Sequence, residues 1–158
     1  MCYFPKFILI IYFLFIACNS DKELNQNIFR YNETSSITSL DPIFANNQAN
    51  IWAVNQIFNT LTQLDSNLNV QPSIAKRWIV SEDGLSYTFV LHDSIYYHKS
   101  PCFGTDSTRL LVASDFIYSV SRLMDSTLIS PGSWAMDYID VNKTHAINDT
   151  LLNINLKQ

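Results

Sequence analysis

Glycine is scarce in this chain: three residues in 158, at Gly84, Gly104 and Gly132. Each sits in a turn-forming context, so no glycine-rich loop remains to cradle phosphates, and the usual nucleotide sites are excluded. Cysteine is equally rare, at Cys2, Cys18 and Cys102. Cys102 stands far from the other two, which excludes a zinc knuckle and leaves it without an obvious disulfide partner. Positive charge is in short supply as well, with 10 Lys and Arg against 14 Asp and Glu and a net charge of −4. The charges are spread evenly, so nucleic-acid binding has no electrostatic footprint. Neither a Gly-x-Ser-x-Gly elbow nor a His-Glu-x-x-His helix occurs.

What is present begins at the N-terminus. Lys6 precedes an unbroken apolar run from Phe7 to Ala17, followed by Cys18-Asn19-Ser20-Asp21. A membrane span needs roughly 20 apolar residues, and this run is shorter. A positive start, a short apolar stretch, the small Ala17 and then a cysteine predict a signal peptide over 1–17, with Cys18 as a lipidated N-terminus after cleavage. An uncleaved anchor and plain secretion are the alternatives. Residues 18–27 are polar and aperiodic, and read as a spacer between lipid and fold.

The remainder, 28–158, is long enough for one core. Ile28-Phe29-Arg30-Tyr31 predicts a short strand. Ile51, Val54, Ile57, Phe58 and Leu61 recur at helical steps and predict a helix over 48–61, capped by Asn46 or Asn47. Leu64 to Leu68 reads as a hairpin corner, and Pro72 to Lys76 as a short helical turn. Glu82-Asp83-Gly84 is a tight-turn signal between Trp78-Ile79-Val80 and a strand in which Leu85, Tyr87, Phe89 and Leu91 alternate with Ser86, Thr88, Val90 and His92. Phe116, Ile117, Val120, Leu123 and Met124 stripe a second helix over 114–124, with Asp115 in its first turn. A single turn over 133–139 and a last hairpin, Thr144–Ile147 with Leu151–Leu156, complete the chain. The order β, α, ββ, α, ββ predicts an α+β fold with a mainly antiparallel sheet and flanking helices.

Three constellations carry possible chemistry. His92 and His98, with Asp93 between them, form a candidate metal pair without a third ligand, and exposed histidines are the ordinary reading. Ser114, Asp115 and His98 can be arranged on paper as a triad, but nothing supplies an oxyanion site. The polar strip Asn32-Glu33-Thr34-Ser35-Ser36 offers donors and acceptors to a ligand, or is a solvated loop.

Three longer runs change that balance. Ser39-Leu40-Asp41-Pro42, then Gln71-Pro72-Ser73-Ile74-Ala75-Lys76-Arg77-Trp78, then Ser81-Glu82-Asp83-Gly84-Leu85-Ser86-Tyr87-Thr88-Phe89-Val90-Leu91 are followed by Tyr97-His98 and Ala113-Ser114-Asp115-Phe116-Ile117-Tyr118-Ser119-Val120-Ser121-Arg122. In this order they resemble the family 5 extracellular solute-binding proteins, the oligopeptide, dipeptide and nickel receptors of ABC importers. Ser130-Pro131 and Asn148-Asp149-Thr150-Leu151 extend the likeness. Three positions depart from it: Val112 replaces a helix-capping threonine, leaving the cap to Ser114; His92 replaces an arginine; and Lys99-Ser100 opens an insertion carrying Cys102.

The resemblance implies part of a two-lobed periplasmic binding-protein fold with an extra subdomain. Residues 28–158 would supply the start of lobe one and most of the accessory subdomain, with the C-terminal lobe missing. It implies a substrate-binding lipoprotein in the cell envelope, monomeric and not an enzyme, that traps a peptide or similar solute between lobes and delivers it to a permease. Ligands across the implied family include peptides, nickel complexes, haem and sugars; no cofactor or resident metal is expected. It places Asn32, Glu33, Thr34, Ser36 and Ile37 on the cleft border, with Ser133 and Trp134 approaching from a second segment. The rival is a small membrane-anchored lipoprotein that uses the same subdomain as an interaction module.

Overall fold

A computed structural model describes residues 30–158 of the chain. The leader, Cys18 and the spacer lie outside the described residues, as do Ile28 and Phe29. Two units divide the chain, Met1–Asn32 and Glu33–Gln158. In the first, residues 30–32 are exposed and irregular. The strand expected at 28–31 is therefore not formed at Arg30 and Tyr31.

The second unit opens on an irregular segment and a 3-10 turn, Pro42–Phe44. Helix α1 follows, Gln48–Ile57, with Asn47 as its cap: the Asn47 side chain accepts from the Asn50 N–H at 2.9 Å. The helix is shorter than its periodicity predicts. Phe58 is already extended (φ −113°, ψ 137°). The Leu61 carbonyl accepts from Ser73 and Ala75, so Leu61 serves strand pairing rather than a further helical turn. The apolar stripe is also only partly used. Val54 is buried beside Ala49 and Asn50, while Ile51, Ile57 and Phe58 are exposed.

Strands β1 (Thr62–Leu64) and β2 (Val70–Pro72) form a small antiparallel hairpin. Its turn is organised by the Asp65 carboxylate, which accepts from the Asn67 and Asn69 N–H groups at 2.8 and 2.9 Å. The helical turn expected over 72–76 is not present. Pro72 closes β2 and Ala75 opens β3 (Ala75–Val80). The N–H groups of Ser73, Ile74 and Ala75 go to the carbonyls of Thr60 and Leu61 instead of to a local turn.

Strand β3 turns through Gly84 (φ +71°), a left-handed conformation cheap only for glycine, into β4 (Ser86–Leu91). Helix α2 spans Ala113–Met124, and a 3-10 turn, Ser133–Met136, stands where one more turn is predicted. The last hairpin is β5 (His145–Asn148) and β6 (Leu151–Asn155). The four-stranded sheet runs β3-β4-β6-β5, wholly antiparallel.

Register explains the two faces of that sheet. Phe89 pairs with Leu152 and Tyr87 with Ile154, so the expected apolar alternation of β4 meets that of β6 on one side. There Leu91, Leu152, Ala75, Ile74 and Ala113 form the buried core, with Phe116 and Ile117 of α2 packed against it. On the other side Asn153 Nδ2 donates to the hydroxyls of Ser86 and Thr88 at 2.9 and 3.1 Å, a polar ladder across two strands. Among the described residues no helix is long and apolar enough to cross a membrane.

Candidate functional site

The strip that follows Asn32 is irregular, bends at Thr34 and Ser35 and is mostly exposed, and its far end is held by hydrogen bonds. Thr38 donates its N–H to Asn50 Oδ1 at 3.0 Å, and Asn50 Nδ2 donates to the Thr38 hydroxyl at 3.0 Å. Asn50 is 1% exposed, so this contact joins the strip to the interior of α1. Within the strip, Glu33 Oε1 accepts from the Thr34 N–H at 2.9 Å. Glu33 is half-buried, whereas Thr34, Ser36 and Ile37 are exposed. Asn32 is exposed too and belongs to the other unit.

Three residues beyond Thr38 a second anchor appears. Asp41 accepts from the Ile43 N–H at 3.3 Å, capping the Pro42–Phe44 turn. It also receives both terminal nitrogens of Arg122 from α2, at 2.8 and 3.3 Å. The guanidinium holds the Asp41 carboxyl below its ordinary pKa of 3.8, burial opposing and the Ile43 N–H assisting. The Ser130 hydroxyl, buried, donates to the Ile43 carbonyl at 2.9 Å. Thus Asp41, Arg122 and Ser130, from three separated runs of the sequence, meet at the root of the strip.

Ser133 and Trp134 begin the 3-10 turn three residues after Ser130. Both are exposed, Trp134 at 68%. The structure therefore ties together the roots of the two predicted segments, through Ile43 and Ser130. Of the predicted residues themselves, Glu33 is half-buried and the others are exposed.

A different place holds a groove of about 490 Å³ lined by Ile57 at the end of α1, Phe58 just after it, Ile95, Tyr97, Phe103 and Phe116, with Asp115 on its wall. Arg109 grips Asp115 through both nitrogens at 2.6 and 2.9 Å and lies over the Tyr97 ring at 4.5 Å. Asp115 also accepts from the Val112 N–H at 3.0 Å, and the Ala113 N–H goes to the Asp149 carbonyl at 2.8 Å. Hence α2 starts without a side-chain cap from Ser114: Asp115 and the turn of the last hairpin take up its free donors instead. Burial raises the Asp115 pKa, but the bonds from Arg109 and Val112 overcome it and leave the group below 3.8. Burial and the Asp115 charge together push the Tyr97 hydroxyl upward.

The triad drawn from Ser114, Asp115 and His98 is not assembled, because both Asp115 oxygens serve Arg109 and Val112. His92 is exposed at the end of β4, and His98 lines the groove. Among the described residues no group of three or more His, Cys, Asp or Glu is placed to hold a metal ion. Cys102 is exposed and unpaired among the described residues.

Sequence reasoning overlooked Asn50, Arg122 and Arg109 as organising residues. Asn50 had a readable signal, a polar residue at the third position of an apolar-faced helix. The Asp41–Arg122 pair spans 81 residues, and no local pattern announces it.

No protein-family model matches the chain. The periplasmic murein peptide-binding protein MppA of Escherichia coli is 32% identical over 111 residues, 70% of this chain and 19% of that protein. The dipeptide-binding protein of Lactococcus lactis is 30% identical over 112 residues, 71% of this chain and 19% of that protein. Among solved structures, the ABC transporter-associated periplasmic binding protein DppA of Helicobacter pylori, in complex with peptide STSA, superposes with a TM-score of 0.64 at 26% identity, over 76% of this chain and 25% of that one. The chain spans between 13% and 21% of the length of the curated relatives it matches first. Sequence and fold together place the described residues among the family 5 solute-binding proteins, as a part of their two-lobed fold.

Proposed function

We propose that this chain is part of the substrate-binding component of an ABC importer, capturing peptides or similar small solutes between two lobes and presenting them to the permease. The observation that carries the reading is the joint likeness, in sequence to the murein peptide-binding protein and in fold to the peptide-bound DppA. The names of these relatives describe binding proteins, which supports a non-catalytic role.

In this reading residues 28–158 form the start of lobe one and most of its accessory subdomain. Glu33, Thr34, Ser36 and Ile37, with Asn32 before them, border the ligand cleft; Ser133 offers a polar contact and Trp134 an apolar wall. Their exposure suits surfaces that become buried only when an opposing lobe closes on a ligand. Residues 1–17 are a signal peptide, Cys18 carries the lipid, and 18–27 let the monomeric receptor stand off the membrane within the cell envelope. A single acyl chain binds only marginally, so the anchor carries several.

The test uses the gene product purified with detergent from its own cells. Intact mass gives an N-terminal Cys18 with added acyl mass, and titration with mixed tri- to pentapeptides gives heat. A product that retains Met1 without modification contradicts the anchor. One that releases no heat contradicts solute capture.

A further inference from the structure

We infer that Asn50 is a positioning residue for the ligand-bordering strip. The inference rests on the functional reading above for what the strip contacts, and on the structure alone for how the strip is held.

Asn50 is the third residue of α1, counted from its cap Asn47. A glutamate or glutamine at that position commonly turns back onto the cap's own N–H. Asn50 turns away from the helix instead. Its carbonyl oxygen takes the Thr38 N–H at 3.0 Å and its amide nitrogen gives to the Thr38 hydroxyl at 3.0 Å. It is 1% exposed, the most enclosed polar side chain described. A buried amide satisfied by one residue, twelve positions away, is a fixed attachment, because breaking it strands polar atoms out of water. Neutrality matters at this place: a carboxamide offers one acceptor and one donor without the desolvation cost of a charge.

The attachment lands directly after Ile37, the last of the proposed contact residues. On the far side, the Asp41 N–H goes to the Ser39 hydroxyl at 3.1 Å, and the Asp41 carboxylate holds Arg122. Arg122 therefore fixes where the strip's base joins α2. Asn50 fixes the backbone next to the strip, and so the direction in which Glu33 to Ile37 run. A ligand met by backbone and short polar side chains depends on that direction more than on any single group.

Hydrogen exchange on the 158-residue chain tests the hold, and peptide titration of the gene product from its own cells tests its purpose. Asn50→Leu keeps the volume and removes both bonds. Exchange over 34–40 should quicken by about tenfold or more, the low end for two lost buried hydrogen bonds, while β4 and β6 keep their protection. Asn50→Asp retains an acceptor for the Thr38 N–H but, when ionised, places a charge in a site that is 1% exposed, so it should restore the local protection only in acid, where the carboxyl is neutral. Should N50L fail to fold, Thr38→Val loosens the contact from its surface side and leaves the helix core untouched. Affinity for mixed tri- to pentapeptides should fall by about the same factor in N50L and, at neutral pH, in N50D. Exchange that changes everywhere, or nowhere, overturns the positioning role. Local quickening with unchanged peptide affinity overturns its link to ligand and removes the strip from the proposed cleft. A parent protein that binds no peptide sinks the functional reading, and exchange alone then decides the hold.

Discussion

Asp115 shows how one side chain can do two structural tasks. It accepts the Val112 N–H that starts α2, and it fixes Arg109 against Tyr97 and, at 5.8 Å, near Phe103. Asp115→Ala should cost about 1–2 kcal/mol, chiefly the lost helix-start bond since Arg109 is 44% exposed, and urea unfolding would measure it. The carboxyl titrates below its ordinary 3.8 in the folded chain. Its contribution is therefore complete above that value and disappears as pH falls through the lower folded pKa. Asp115→Asn keeps an acceptor for Val112 but cannot titrate. Stability curves of parent and variant should converge in acid, and curves that stay parallel from pH 7 to pH 2 would contradict the assignment. The first-turn acid was readable from its place in the helix. Its partner Arg109 was not, because the loop between them carries no periodicity that says how the chain returns.

Elements with a strong period were the legible ones. The strand from Ser86 to Leu91 and the hairpin ending at Asn155 fall where alternation and turn residues put them. The second helix begins one residue earlier than its stripe suggests, at Ala113. Errors fell where a tertiary partner competes with local preference. Leu61 continues the spacing of α1 yet pairs with the chain at Ser73 and Ala75, so the helix stops at Ile57. The run from Pro72 to Lys76 has the residues of a turn, but those same bonds pull it into strands. The sheet depends on the meeting of β4 and β6, and Leu152, 0% exposed opposite Phe89, is its centre. Leu152→Ala should destabilise by about 2–5 kcal/mol in urea, with far less effect from Ile147→Ala, a residue 52% exposed in the neighbouring strand.

For the whole molecule, the surface is informative. Ile51, Trp52, Ile57 and Phe58 on and after α1 are 40–48% exposed, and Trp134 and Tyr138 are 68% and 71% exposed. Exposed apolar side chains in such number favour self-association and the binding of apolar probes. The recombinant 158-residue chain should bind an apolar dye and associate with itself at high concentration. Replacing Ile51 and Trp52 by glutamine should reduce both while leaving the urea midpoint nearly unchanged, as sedimentation and dye fluorescence would report. The candidate contact strip was legible as polar, and its place beside a cleft is what the resemblance to a family implies. Its attachment through Asn50 and Arg122 was not, since contacts across 12 and 81 residues leave no mark on local sequence.

Calorimetric titration of mixed tri- to pentapeptides into the detergent-purified gene product, beside the recombinant 158-residue chain, bears most directly on the central claim. On the proposed two-lobe reading, the native product captures peptides with micromolar affinity and the 158 residues alone give no comparable heat, because a single lobe would not enclose a solute. Micromolar binding by the 158 residues without further polypeptide, or a native product indifferent to peptides, would contradict it.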